Sequence, residues 1–198
     1  MNDNIKNLHD PSETVSNWRT SLRYLTDGNK RYIENRGIAR DTNRQDRETL
    51  KAGQKPFAVV VTCSDSRVAP EICFDQKLGD IFVTRNAGNI ADTTTLGSIE
   101  YAIEILNVPL VVVVGHSRCG AVIGALNNGE YRENLQTIID KICTAIKDCE
   151  NLEDAIHANI DYVVEQIRED KIVKRLGVKV LGAYYNVETG EVTWEEDV

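Results

Sequence analysis

The stretch Phe57-Ala58-Val59-Val60-Val61-Thr62, directly after Pro56, is an unbroken run of apolar and β-branched residues with no polar alternation. Such a run reads as a strand covered on both faces, the pattern of a parallel sheet rather than of a half-exposed antiparallel one. Ile81-Phe82-Val83-Thr84 makes a shorter copy, and Leu110-Val111-Val112-Val113-Val114 a full one. Between these two, Leu96, Ile99, Ala102, Ile103 and Leu106 recur at helical spacing, so strand, helix and strand follow in the order of a right-handed crossover. The fold class expected is therefore α/β, with a central, mainly parallel β-sheet flanked by helices.

Working outward, Asp10-Pro11-Ser12-Glu13 has the form of an N-cap, a proline at the first helical position and an acid at the third. Trp18, Leu22, Leu25, Tyr32 and Ile33 follow at helical spacing, so an amphipathic first helix is expected to begin there. The polar stretch 35–43, with Gly37 inside it, reads as a loop before a short helix that ends near Gly53. Downstream, one apolar stripe carries Leu135, Ile138, Ile139, Ile142 and Ile146, and the next Leu152, Ile156, Ile160, Val163 and Ile167. The chain then returns to a strand at 178–185 and a hairpin through Glu188-Thr189-Gly190-Glu191 into Val192-Thr193-Trp194. A single domain over 1–198 is expected: an N-terminal helical arm (1–53), an α/β core (54–126) and a C-terminal helical and hairpin extension (127–198).

A chain of 198 residues with 41% hydrophobic and 27% charged residues has ordinary globular composition and enough core to dispense with disulfide staples. Its 23 Lys and Arg against 31 Asp and Glu leave a net charge of -8, which argues against nucleic acid or an anionic membrane as partner. Five cysteines cannot all pair with one another, so reduced thiols or metal ligands are expected. The first residues resemble neither a signal peptide nor a presequence, and no apolar run approaches the roughly 20 residues of a membrane span. The expected location is the cytoplasm.

The two long buried runs end in polar, metal-competent residues: Cys63-Ser64-Asp65-Ser66-Arg67 after one, Gly115-His116-Ser117-Arg118-Cys119-Gly120 after the other. Open α/β sheets bind ligands beyond the carboxyl ends of their strands, so these tips are the expected walls of one site. Cys63, His116 and Cys119 are soft or borderline ligands that suit zinc better than magnesium or calcium, and three of them leave a fourth position open. The alternatives are a closed site with a fourth cysteine, or ordinary buried cysteines beside a satisfied core histidine; the pairing of the two strand ends favours the open metal site. Asp65 and Arg67 stand close enough for a charge-assisted fork that keeps the carboxylate ionised and oriented. The bland reading, a surface turn with an ion pair worth about 0 to 1 kcal/mol, is the poorer one beside a metal ligand.

Cys63-Ser64-Asp65-Ser66-Arg67-Val68, Arg85-Asn86-Ala87-Gly88-Asn89, Ser98-Ile99-Glu100-Tyr101-Ala102 and Gly115-His116-Ser117-Arg118-Cys119-Gly120-Ala121 together resemble a β-class carbonic anhydrase of bacterial type. The likeness runs from about Leu22 to Trp194. It implies one Zn2+ per chain on Cys63, His116 and Cys119, with Asp65 and Arg67 as catalytic dyad and Gly120 close to the metal-bound oxygen. It also implies a substrate pocket of Gln54, Phe82, Ala87 and Tyr101, partly supplied across a dimer interface, with Gln54 offering its amide to the substrate. The implied reaction is reversible hydration of carbon dioxide to bicarbonate and a proton by zinc-bound hydroxide, in a homodimer or a tetramer made of two dimers. Two thiolates offset the charge of the ion, so activity is expected to rise on the alkaline side of neutrality.

One subgroup of the family uses bicarbonate to favour a closed form with the aspartate on zinc. This chain resembles it at Arg85 but has Val60 and Thr62 where that subgroup typically carries Trp and Gly, so an open, unregulated site is expected. A hydrolase for carbonyl sulfide or carbon disulfide on the same dyad is the nearest alternative, and the presence of both Asp65 and Arg67 weighs against a non-catalytic zinc module or bicarbonate sensor. His9 and His157 lie near no motif, so neither is assigned as a proton shuttle. Cys73 and Cys143 read as small packed hydrophobes and Cys149 as exposed.

Overall fold

The valine runs become central strands because each side chain then meets an apolar layer whichever way it points. The structure, a computed structural model describing residues 8–38, 44–127 and 129–195, joins five strands into one sheet. These are β1 (Ala58–Cys63), β2 (Ile81–Asn86), β3 (Leu110–His116), β4 (Lys179–Tyr185) and β5 (Val192–Trp194), in the order β2-β1-β3-β4-β5. The first four run parallel, and β5 pairs antiparallel with the last three residues of β4. Every residue of β1 and β3 is buried.

Alternation sends the side chains of those two strands into two cores. Val59, Val61, Val111 and Val113 face one way, where they meet α4 (Thr93–Glu104), α5 (Gly120–Leu126), α6 (Glu133–Ile146), α7 (Leu152–Arg168) and α8 (Lys171–Leu176). Ala58, Val60, Val112 and Val114 face the other way, toward Leu22 and Leu25 of α1 (Trp18–Ile33) and Cys73 of the short α3 (Pro70–Cys73). A further helix, α2 (Arg44–Leu50), buries none of its residues. Among the described residues no helix is long and apolar enough to cross a membrane.

Two elements differ from the sequence expectation. The Asp10-Pro11-Ser12 segment does not start α1; Asp10 instead accepts the Ser12 N–H at 2.8 Å and its hydroxyl at 2.7 Å in an isolated turn. That turn has no apolar face to bury and so does not propagate, whereas α1 begins where the stripe begins, at Trp18, capped by Asn17. The helix α8 stands between the second apolar stripe and the strand at 178–185, where the sequence pattern marks no separate element. Asp170, which accepts the N–H groups of Ile172 and Val173, breaks it from α7, and Gly177 at φ 64° ends it. The loop expected at 35–43 begins at the end of α1, and its residues 39–43 lie outside the described residues.

Polar crosslinks fasten α1 to the sheet. Asn29 donates to the carbonyls of Cys73 and Gly190 at 2.9 and 2.8 Å and accepts from the Val192 N–H at 3.0 Å, tying helix, β1–β2 connection and hairpin together. Arg31 Nε meets Asp75 Oδ2 at 2.6 Å in a buried ion pair. Gly28 lets the helix approach so closely that a Cβ built there would stand 1.8 Å from the Phe74 carbonyl oxygen. Because that oxygen belongs to backbone, Gly28→Ala is expected to cost about 3 kcal/mol or more by overpacking. Urea unfolding measures it as a lowered midpoint at unchanged slope.

Candidate metal centre

Thr62 pairs with Val114, so β1 ends at Cys63 one residue past the rung from which β3 runs on to His116. A tight turn follows, with Arg118 at φ 56°, and delivers Cys119 immediately before α5. This brings one ligand atom each from Cys63, His116 and Cys119 within 4.8 Å of one another, all three residues being buried. The two sulfurs are 4.0 Å apart.

The histidine is oriented for a ligand. Ser117 presents a carbonyl, which can only accept, so the proton sits on His116 Nδ1 and is donated over 3.0 Å. That leaves Nε2 as a lone pair, buried and without a hydrogen-bond partner. An unsatisfied buried acceptor costs about 1–3 kcal/mol, a cost a coordinated cation removes. The two sulfurs are in hydrogen-bond reach of each other, and that contact first, with the Gly88 N–H adding to it, lowers the Cys63 thiol toward its thiolate. Cys119 is correspondingly pushed up, by that same hydrogen bond first and by burial second. Two sulfurs and one imidazole nitrogen fit a borderline-soft divalent cation with a fourth position left over.

Beside these donors, Arg67 grips Asp65 with Nε to Oδ1 at 2.9 Å and Nη2 to Oδ2 at 2.7 Å, while its backbone N–H also donates to Oδ1. This fork holds the carboxyl well below its ordinary range. It also keeps Asp65 out of the donor group, which among the described residues comprises only the two cysteines and the histidine. Behind the loop, Arg85 donates from Nε to the Cys63 carbonyl at 3.0 Å and from Nη2 to the Asp65 and Val68 carbonyls at 2.8 and 2.7 Å. Gly88, in the 3₁₀ turn Ala87–Asn89, donates its N–H to Cys63 Sγ at 3.4 Å. A Cβ at Gly120 would meet nothing within 4 Å, so room is open where α5 starts.

The remaining expected pocket residues divide. Ala87 belongs to the turn that contacts Cys63, and Gly120 follows Cys119. Gln54 is exposed and precedes β1, at the opposite end of that strand from Cys63. Phe82 pairs with Val59 early in β2 and lies 6.2 Å, ring to ring, from Tyr101 on α4. The sequence reading missed the loop-clamping contacts of Arg85 and the Gly88 contact. A charged residue near the end of an otherwise apolar strand, followed by Ala-Gly-Asn, is the signal each left. His157 is half-buried, stacked on Tyr184 at 4.8 Å and bonded to Glu195 at 2.7 Å. Cys149 is likewise half-buried.

Comparison with known proteins places residues 58–192 within the family model described as carbonic anhydrase. Carbonic anhydrase 2 of Mycobacterium tuberculosis is 35% identical, the match covering 93% of this chain and 94% of that protein. The carbonic anhydrase of Mycolicibacterium smegmatis is 37% identical over 91% of this chain and 93% of its own length. Among solved structures, a match from the work on two tetrameric β-carbonic anhydrases of Sordaria macrospora superposes with a TM-score of 0.71 at 25% identity. That match covers 89% of this chain and 98% of the other.

The Asp65 fork carries a pH signature. Because the folded pKa lies below the ordinary 3.8, the pairing adds stability above that value and loses it only as pH falls through the depressed one. The Asp65 carboxyl carbon shift, followed by NMR, is expected to stay flat from about pH 8 to about pH 4. Arg67→Met is expected to bring its titration back into the upper part of the acid range.

Proposed function

Because the chain belongs to the carbonic anhydrases of the β class, we propose that it hydrates carbon dioxide reversibly to bicarbonate and a proton with one zinc ion held by Cys63, His116 and Cys119. The observation that carries the reading is the buried, unpartnered His116 Nε2 set among two sulfurs beside an Arg67-bound Asp65. Zinc, when bound, supplies the Lewis acidity that ionises water near neutral pH.

The protein's own groups do the rest. Asp65, kept ionised by Arg67, accepts a hydrogen bond from the attacking water oxygen and turns its lone pair toward the substrate carbon. Arg67 cannot be neutralised at working pH, so it also prevents Asp65 from taking the fourth position itself. Arg85 supports this by spending its N–H groups on the loop's carbonyls, which favours the open, unregulated form. Gly120 leaves space for the substrate. The proton leaves to solvent or buffer, since His9 is buried against Asp80 and His157 is bound to Glu195.

Gln54, Phe82 and Tyr101 enter this scheme from a second copy of the chain. Within one chain they stand away from the donors, and Tyr101 is 48% exposed with Ile105 at 59% on the same helix flank, an apolar surface suited to a partner. A homodimer, or a pair of dimers, is therefore the proposed working unit.

Stopped-flow hydration of carbon dioxide by metal-verified protein tests the chemistry. A zinc-dependent rate that rises toward alkaline pH is expected, with Asp65→Asn lowering it by about a hundredfold or more. Cys119→Ser is expected to lose both zinc and rate. No zinc-dependent rate above background in the parent protein overturns the reading. For the assembly, Tyr101→Arg is expected to give monomers by light scattering that keep their zinc and lose most activity.

A further inference from the structure

We propose that Asn159 on α7 is a positioning residue for the metal centre, fixing the 3₁₀ turn at Gly88 so that its N–H donates to Cys63 Sγ. The proposal rests on the reading of Cys63 as a metal ligand. Asn159 sits in the buried stripe of α7, between Ala155, Ile156, Ile160 and Val163, and is itself only 2% exposed. A carboxamide in such a stripe is costly unless it bonds, and a leucine of similar size would fill the place without that cost. Its Nδ2 donates to the Gly88 carbonyl at 3.0 Å, across 71 residues of sequence.

Gly88 links this bond to the sulfur. At φ 75° it presents its carbonyl to α7 and its N–H to Cys63 Sγ, so the two contacts share one rigid joint. The turn has little freedom elsewhere: Asn86 accepts from the Ile90 N–H and donates to the Ile90 carbonyl, both at 2.8 Å, clamping its two ends. On its far side, a Cβ at Gly88 would stand 2.5 Å from Ile142 Cδ1 and 3.2 Å from Ala121 Cβ. Asn159 thus supplies the polar fastening between the turn and α7. A hydrogen bond to a thiolate lowers the energy of its sulfur electrons and fixes their direction, the usual work of groups that stand behind a metal ligand.

The test loads the full-length protein with cobalt(II) and follows the thiolate-to-cobalt charge-transfer band together with zinc affinity by chelator competition. Asn159→Leu, which keeps the volume of the buried stripe, is expected to move the band to longer wavelength and to weaken zinc by about tenfold. Asn159→Ala is expected to do the same with an added loss of stability in urea. Val163→Ala, on the same helix face, is expected to lose stability while leaving band and affinity unchanged. A parent protein with the band and an Asn159→Leu variant with the same band and affinity overturns the proposal alone. A parent protein with no thiolate band overturns the metal reading, and this proposal with it.

Discussion

The parallel register that sets Thr62 beside Val114 decides where every chemically active side chain at the sheet's carboxyl end comes to lie. Valine sliding against valine loses little burial, so the apolar runs of β1 and β3 would tolerate more than one alignment. The lock is polar and steric instead. Thr62 Oγ1 donates to the Val114 carbonyl at 2.9 Å inside the core. One residue on, Gly115 lets Ile160 of α7 close onto β3, since a Cβ there would meet the isoleucine side chain at 2.6 Å. A slip would strand a buried hydroxyl and drive a valine into that contact, at a cost of several kcal/mol.

From that rung the site assembles with few further choices. Cys63 ends one strand, His116 ends the next, and the left-handed turn at Arg118 brings Cys119 round to join them. The polar groups then fall into a layered arrangement around the sulfurs and the imidazole. The Ser117 carbonyl decides which histidine nitrogen faces the sulfurs, and the Gly88 N–H touches Cys63. Arg85 holds the backbone of the loop while Arg67 holds its carboxylate. Each of these contacts restrains something that would otherwise be free to rotate, so preorganisation is distributed over the strand ends rather than vested in one residue.

Much of the fold was legible in the sequence because the valine runs have no reading other than strands buried on both faces. The convergence of Cys63 with His116 and Cys119 was legible for a related reason: residues that follow adjacent parallel strands share one end of the sheet. What escaped depended on contacts far apart in the chain. The Asp10-Pro11 pattern looked like a helix start because capping chemistry is local, whereas the helix waits for an apolar stripe to bury. Asn159 gave a faint signal, an amide where α7 should be apolar, but its meaning appears only with the Gly88 carbonyl opposite it. Gln54, Phe82 and Tyr101 stand apart from the donors within one chain, and nothing local in the sequence marks that separation.

X-ray absorption at the zinc edge of the loaded protein tests the central claim most directly, because it counts sulfur against lighter ligands without reference to activity. Two sulfur scatterers at about 2.3 Å and two nitrogen or oxygen scatterers at about 2.0 to 2.1 Å are expected, one of the light atoms with the outer-shell pattern of an imidazole. A shell of three or four sulfurs, or one of light atoms alone, would contradict it.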